Sequence, residues 1–426
     1  MKYLERYSSR FCIKTLEADL EQSPNLVVVI PAYKENLTSL KTCLDSLDVA
    51  AHGHDSIAVF VLINYKASDS DKVKHDSSAL FEDLRNHSCT HLILKVFKQE
   101  FFHKKGGVGL ARKTLMDAAF SIFNERKKDG LIINLDADTI VAPNYFQEIK
   151  KHFTICPKCQ AANIHFEHLL SEDNQLNSAI INYELHLRYF INMQRLICLP
   201  YAFQTIGSAM VVRAFSYAKE GGMVKKQAGE DFYFLHKFSK NHQLMDIQTT
   251  CVYPSNRKSD RVPFGTGKAV NDIISSEQAY QTYNPKSFNI LSDWFLQIFK
   301  SYEEGVDLVH HSDNVTFNTY LESIHAKDKI SEIESNISDI NGFIKRFFVW
   351  FDAFALMKYL HYMRDHGYDD INIPQAIESL LNTLNLPHES DALEQLKTLR
   401  AFDKESVYFN QWRAALISRL SNISAS

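Results

Sequence analysis

The acidic residues of two stretches have the types and spacing that chemistry would need. In residues 130–145 (GLIINLDADTIVAPNY), Asp136-Ala137-Asp138 directly follows an apolar run that only Asn134 interrupts. On the turn after such a run both carboxylates can converge on one cation, and a pair of hard oxygen donors suits Mg²⁺ or Mn²⁺ that also holds a substrate phosphate. The second stretch is Ala228-Gly229-Glu230-Asp231-Phe232. Its acidic pair opens a helix, where the dipole favours it without any function. One carboxylate beside another also tends to have its pKa raised, which suits a base working near neutral pH. A third group, Cys156 and Cys159 with His165 and His168, has the residue types of a zinc site. Only five residues separate Cys159 from His165, however, and no second CxxC accompanies them, so the spacing is not that of a zinc finger. We read this segment instead as a turn entering a strand over residues 160–166. Alternation then sets His165 and Glu167 on one face, where they and His168 can line a site.

The elements that must position these groups alternate. Residues 26–30 (LVVVI) and 57–63 (IAVFVLI) are fully apolar runs, read as buried strands of a parallel sheet. The first ends in Pro31-Ala32-Tyr33-Lys34-Glu35, after which Leu37, Leu40, Leu44 and Leu47 recur at helical spacing behind a cap at Asn36 or Thr38. Residues 68–78 read as a polar loop opening onto a helix that runs through Leu84, and 91–97 as a third strand. A Gly-rich turn, Gly106-Gly107-Val108-Gly109, then opens a helix over residues 110–123, and the fourth strand carries Asp136. That turn is neither a dinucleotide fingerprint nor a P-loop; a tight turn with no ligand is an equal reading. Strand–helix alternation predicts a parallel sheet with right-handed crossovers, and such sheets bind ligands beyond the carboxyl ends of their strands.

Bulk properties exclude several classes. The 426 residues are 45% hydrophobic and 23% charged, an ordinary globular composition with room for two cores. A net charge of −4 leaves no electrostatic footprint for nucleic acid. The start, MKYLERYSSRF, has no apolar signal region. Seven scattered cysteines fit a reducing compartment. A cytoplasmic protein is expected, with a place at the inner face of the membrane as a further option. No stretch offers the roughly 18 uncharged apolar residues of a span.

Four segments taken in order, VVVIPAYKEN, GVGLARKTLMDAA, LIINLDADT and AGEDFYF, resemble the inverting family 2 glycosyltransferases of the GT-A fold. The segments FEH, YELHLRY, GSAM and SDRVPFGTGKA resemble a subgroup of bacterial members. The resemblance covers residues 25–270. It implies a Rossmann-like α/β domain, a mostly parallel sheet flanked by helices; the charged residues 1–24 before it read as a leading helix ending at Pro24. After it, residues 271–426 read as a mostly helical C-terminal domain.

The resemblance also implies roles. Pro31, Ala32, Tyr33 and Glu35 would hold the uracil and ribose of a nucleotide-sugar donor, UDP-linked by first expectation, with Asn64 facing the same pocket. Tyr33 can equally be a packed aromatic, and Glu35 a helix-start carboxylate. Arg112 would lie near the nucleotide. Asp136 would touch ribose or metal, Ala137 stands between, and Asp138 would bind the metal. Gly207 and Ser208 either run beside the donor sugar or form a close-packed turn. Glu230-Asp231 stands where such enzymes keep the catalytic base; Asp231 is our choice, with the reverse assignment open. Arg257 and Arg261, on the loop at residues 255–269, could close over the diphosphate as a lid or simply be solvated. The Gln-x-x-Arg-Trp of polymer-making members is absent, which speaks against a processive synthase.

Further along, residues 174–199 predict a long helix, with Glu184 and Arg188 as an i, i+4 pair of the kind usually solvated. Residues 343–363 are apolar nearly all round, as in a buried helix, or one that docks on a membrane surface. The reading that results is a metal-dependent inverting transfer of a sugar to a hydroxyl acceptor (glycan, lipid-linked or small molecule) in cell-surface glycan or glycolipid synthesis. Retaining transfer on the same fold and a catalytically silent sugar-nucleotide-binding protein are the alternatives. A sugar nucleotidyltransferase would need a Gly-rich, Arg- and Lys-bearing loop after the first strand, which is missing.

Overall fold

The computed structural model describes residues 2–54, 56–102, 106–239, 243–259, 265–276, 278–308, 310–405 and 408–424. The chain divides into two compact units, Met1–Asn177 with Thr205–Asn271, and Ser178–Gln204 with Asp272–Ser426.

The first unit is built on one eight-stranded sheet: β1 (Leu26–Ala32), β2 (Ile57–Lys66), β3 (Ile93–Phe101), β4 (Leu131–Asn134), β5 (Ile140–Val141), β6 (Ala161–Phe166), β7 (Met210–Arg213) and β8 (Leu244–Tyr253). Their order is β3-β2-β1-β4-β7-β6-β8-β5. β3, β2, β1 and β4 run parallel, and β7 lies antiparallel between β4 and β6. This is the α/β architecture expected, with helices packed on the sheet and a helical region after it. All seven residues of β1 are buried, as a strand covered on both faces requires. Asn36 caps the next helix, Leu37–Ala51, its side chain accepting from Ser39 N–H.

Three local expectations are corrected. The leading helix is only Lys2–Arg10 and does not run on to Pro24. The polar stretch at residues 68–78 is a loop only as far as Ser70, which caps the helix Asp71–Arg85. Residues 343–363 form two helices, Ile340–Trp350 and Ala353–Asp365. Asp352 separates them as an N-cap, accepting from the N–H groups of Phe354 and Ala355. A short carboxylate side chain competing for backbone N–H groups starts a new helix even inside an apolar stretch.

The second unit is helical, apart from a two-stranded ladder pairing Gln281–Thr282 with Ile371–Asn372. Its core is aromatic: Trp294, Phe295, Phe299, Phe343, Phe347 and Phe351 are buried and meet at ring separations of 4.9–6.5 Å. Glu184 and Arg188, expected to be solvated, are both buried. Arg188 donates to Glu184 Oε1 at 2.7 Å and to Asp403 Oδ2 at 2.5 Å, and Arg400 adds a second guanidinium on Glu184. A buried charge survives only when paired and hydrogen-bonded, and here acids and bases from the helices Asn174–Leu196 and Ala392–Glu405 satisfy one another. Among the described residues no helix is long and apolar enough to cross a membrane, and none of the seven cysteines is in a disulfide.

Candidate active site

The chain leaves β1 toward β2 and β3 on one side, and β4 takes the other side of β1. That divergence is a switch point, and open α/β sheets bind ligands beyond the strand ends there. The register puts Val29 opposite Asn134 and Ala32 opposite Ile63. Pro31 and Ala32 as the last residues of β1, Tyr33 to Glu35 just beyond them, Asn64 near the end of β2 and Asp136 after β4 therefore all lie at this edge. Lys34 holds a left-handed φ of +54°, turning the chain before Glu35. Tyr33 donates its hydroxyl to Asp69 Oδ1 at 2.9 Å, while Asp69 Oδ2 accepts from Lys66 N–H. Asn64 is buried, and its Oδ1 has no hydrogen-bond partner among the described residues.

Arg112 is the first organising cation. It lies in the helix Val108–Glu125 and is 3% exposed. Its Nη1 donates to Glu230 Oε1 and its Nη2 to Asp136 Oδ1, so one fork joins the end of β4 to the acidic helix Glu230–Ser239. Two glycine approaches make this possible. A Cβ on Gly109 would stand 2.4 Å from the Lys226 carbonyl oxygen, and Gly109 N–H already donates to that oxygen at 3.2 Å. The Gly-rich turn is thus a packing device that seats the helix of Arg112 on the segment leading to Glu230. Gly207 lies flat against the Arg112 guanidinium, where a Cβ would come within 2.3 Å of Nη1.

Electrostatics follow from this crowding. Burial alone would push the Arg112 guanidinium toward neutrality, but Asp136, Glu230 and Asp231 outweigh it and raise its pKa. Asp231, beside Glu230 in the first turn, is pushed up to about 7. Burial is the largest cause and the Glu230 charge the next, opposed by Arg112 and by the Phe232 N–H, which donates to Asp231 Oδ1 at 2.8 Å. Residue 231 as a whole is partly exposed, whereas Glu230 is 2% exposed.

Arg257, four residues beyond β8, is the second cation. Its Nη2 donates to Glu35 Oε2 at 2.5 Å, and its Nε lies 2.6 Å from Asp138 Oδ2. The Nε contact is ionic; its N–H is not aimed for a hydrogen bond. Cys43 ties the two clusters together. Its buried thiol is held well above the ordinary range, first by burial and then by the charges of Asp138, Asp136 and Glu35, and its Sγ points to the Asp136 carbonyl at 3.7 Å.

No protein-family model matches the chain, and no curated protein matches it. Among solved structures it is similar to S. aureus TarS 1-349, at a TM-score of 0.36 and 12% identity over 92% of each chain. It is also similar to S. aureus TarS, at a TM-score of 0.36 and 14% identity, over 91% of this chain and 55% of that one.

The two arginines gather Glu35, Asp136, Asp138, Gly207 and Glu230, with Asp231 alongside. Tyr33 is engaged with Asp69, Ala137 is buried between its acidic neighbours, and Ser208 is buried in the 3-10 turn Gly207–Ala209. Arg261 lies outside the described residues. A separate constellation sits at the end of β6: His165 Nε2 lies 3.1 Å from Glu167 Oε1, and one ring nitrogen of His165, one carboxylate oxygen of Glu167 and Cys251 Sγ are all within 4.8 Å of one another. The alternation expected of His165 and Glu167 holds, while Cys156, Cys159 and His168 are not part of the group. Nothing in its own segment marks Cys251 for this place; strand pairing brings it there.

Proposed function

We propose that the chain is an inverting glycosyltransferase that moves a sugar from a nucleoside diphosphate, UDP by preference, to a hydroxyl acceptor, in cell-surface glycan or glycolipid synthesis. The observation that carries this reading is the Arg112 fork, which draws Asp136 at a strand end and the Glu230-Asp231 pair to one place. Asp231 is the base: with its pKa near 7, it can take the acceptor's hydroxyl proton as that oxygen bonds to the anomeric carbon and the carbon–diphosphate bond breaks. Glu230 is consumed by Arg112 and keeps Asp231 basic. Asn64 Oδ1, a buried acceptor with no hydrogen-bond partner among the described residues, suits the imide N–H of uracil. Pro31, Ala32, Tyr33 and Glu35 line the same strand ends, with Gly207 and Ser208 toward the sugar.

Asp138 and Asp136 are the residues that would hold Mg²⁺ or Mn²⁺; they offer oxygen donors only, and the Asp136 side chain is 41% exposed. Such a cation would stabilise charge on the departing diphosphate. Arg257 now neutralises Asp138 and Glu35. Released from them, its planar fork matches a diphosphate in the bidentate way that carboxylates are met, and Arg261 would add to it.

The test is calorimetric titration with UDP- and GDP-sugars in Mn²⁺, followed by assay of donor turnover. Binding that needs the cation, with turnover abolished in Asp231→Asn, is expected. Absence of binding for every donor overturns the proposal, and binding with turnover unchanged in Asp231→Asn removes Asp231 from its role.

A further inference from the structure

We propose that His165, Glu167 and Cys251 form a zinc site, independent of the Asp136-Ala137-Asp138 turn. Strand irregularity builds it. β6 and β8 run parallel with Ile164 opposite Ile247, but the next pairing is His165 opposite Cys251. Residues 248–250 of β8 therefore have no counterpart in the ladder. Bulges of this kind re-aim side chains, and two consequences follow. Cys251 becomes the cross-strand partner of His165, and Gln248 turns back so that its Oε1 meets His165 Nδ1 at 2.9 Å.

That second contact fixes the orientation of the ring. His165 Nδ1 faces the side-chain amide of Gln248, and Nε2 faces Glu167 Oε1, 3.1 Å away. Either a proton on Nε2 or a metal ion can bridge that nitrogen and the carboxylate. A histidine that ligates metal through one nitrogen while donating the other N–H to an oxygen is the usual arrangement of such sites. The spacing agrees. Bond lengths of about 2.0 Å to nitrogen and oxygen place tetrahedral zinc ligands roughly 3.3 Å apart, close to the observed histidine–glutamate separation. The thiol, buried and now donating to the Val252 carbonyl at 3.3 Å, needs only a rotation to complete three ligands, with water as the fourth.

The donor set selects the metal. One imidazole, one carboxylate and one thiolate suit Zn²⁺, whereas Mg²⁺ and Mn²⁺ prefer oxygen alone. Binding would also lock the end of β6 to the part of β8 that leads to Arg257, which makes the three ligands positioning residues for that loop.

Titrating the metal-free full-length protein with Co²⁺ tests this. We expect one equivalent to bind with a thiolate-to-cobalt charge-transfer band, displaced by Zn²⁺, lost in Cys251→Ser and retained in Asp138→Asn. Gln248→Leu, which keeps all three ligands, should weaken Zn²⁺ binding by about 10–100-fold, as loss of an orienting partner does. No band in the wild-type protein, or a band that survives Cys251→Ser, overturns the assignment. If Cys251→Ser does not fold, His165→Gln and the zinc content of the wild-type protein by native mass spectrometry decide: a zinc-free wild type after incubation with one equivalent, or an unchanged band in His165→Gln, has the same force.

Discussion

Arg112 and Glu230 are 118 residues apart in the chain and share a buried ion pair through Nη1 and Oε1. Among the described residues Arg112 is the cation paired with this glutamate. Removing the guanidinium leaves a carboxylate 2% exposed to water without its cation, and breaking a buried pair from one side costs about 3–5 kcal/mol. Arg112→Ala should therefore lose that much in urea unfolding. Arg112→Lys keeps the charge but cannot reach Glu230 and Asp136 with one planar fork, so it should recover only part of the loss. A neutral Arg112→Ala would show that Glu230 finds another partner or is protonated.

Gly207 leans on the same guanidinium. A methyl group there would fall 2.3–2.6 Å from Nη1, Nη2 and Cζ. An arginine tip usually gives way, but this one is held on two sides by carboxylates. Gly207→Ala should cost about 1–3 kcal/mol, the range for overpacking. The informative measurement is the double-mutant cycle. In an Arg112→Ala background the same substitution should cost almost nothing, because the atoms it strikes are gone. Additive losses would mean that Gly207 is required for its backbone and not for this approach.

In the helical unit, Arg188 joins Glu184 to Asp403 with all three buried. Burial disfavours its charge, yet the two carboxylates raise its pKa. Arg188→Met keeps the bulk of the side chain and leaves Glu184 to Arg400 and Asp403 to Arg195. A loss smaller than the ~3–5 kcal/mol of a fully unpaired buried charge is expected, together with faster proteolysis of the helix Ala392–Glu405, which carries Asp403 and Arg400. Pairing Arg188→Met with Asp403→Leu should restore part of the stability, since an apolar replacement of a buried pair can be tolerated.

These relationships mark where sequence reading ends. The strands at LVVVI and IAVFVLI were legible because a strand covered on both faces must be apolar throughout, and Asn36 announced its helix because a cap is a local device. Asp136, Asp138, Glu230 and Asp231 could be picked out because each sits where a strand or helix changes into something else. What holds them together could not be. Nothing near Arg112 says that its partners lie 24 and 118 residues away. The pair Glu184 and Arg188 has the same spacing whether it faces water or Asp403, and the downstream acid decides. Cys251 meets His165 through a slip in strand register that no periodicity announces.

Asp231 carries a prediction whose sign can be worked out. Its carboxyl is raised from 3.8 to about 7 in the folded protein, so between these values the native state holds a proton that the unfolded chain has released. Stability then falls as pH rises through that window and is level above it with respect to this group. Asp231→Asn removes the titration. The variant should gain on the wild type in chemical denaturation as pH goes from about 4 to about 7, and the difference should stop growing beyond. The same proton governs turnover if Asp231 is the base. Below pH 7 kcat/KM should fall about tenfold per pH unit, because only the ionised carboxylate can accept from the acceptor hydroxyl. A stability difference that is flat from pH 4 to 8 would place the carboxyl at its ordinary pKa, and with it the crowding by burial and Glu230 would lose its functional meaning.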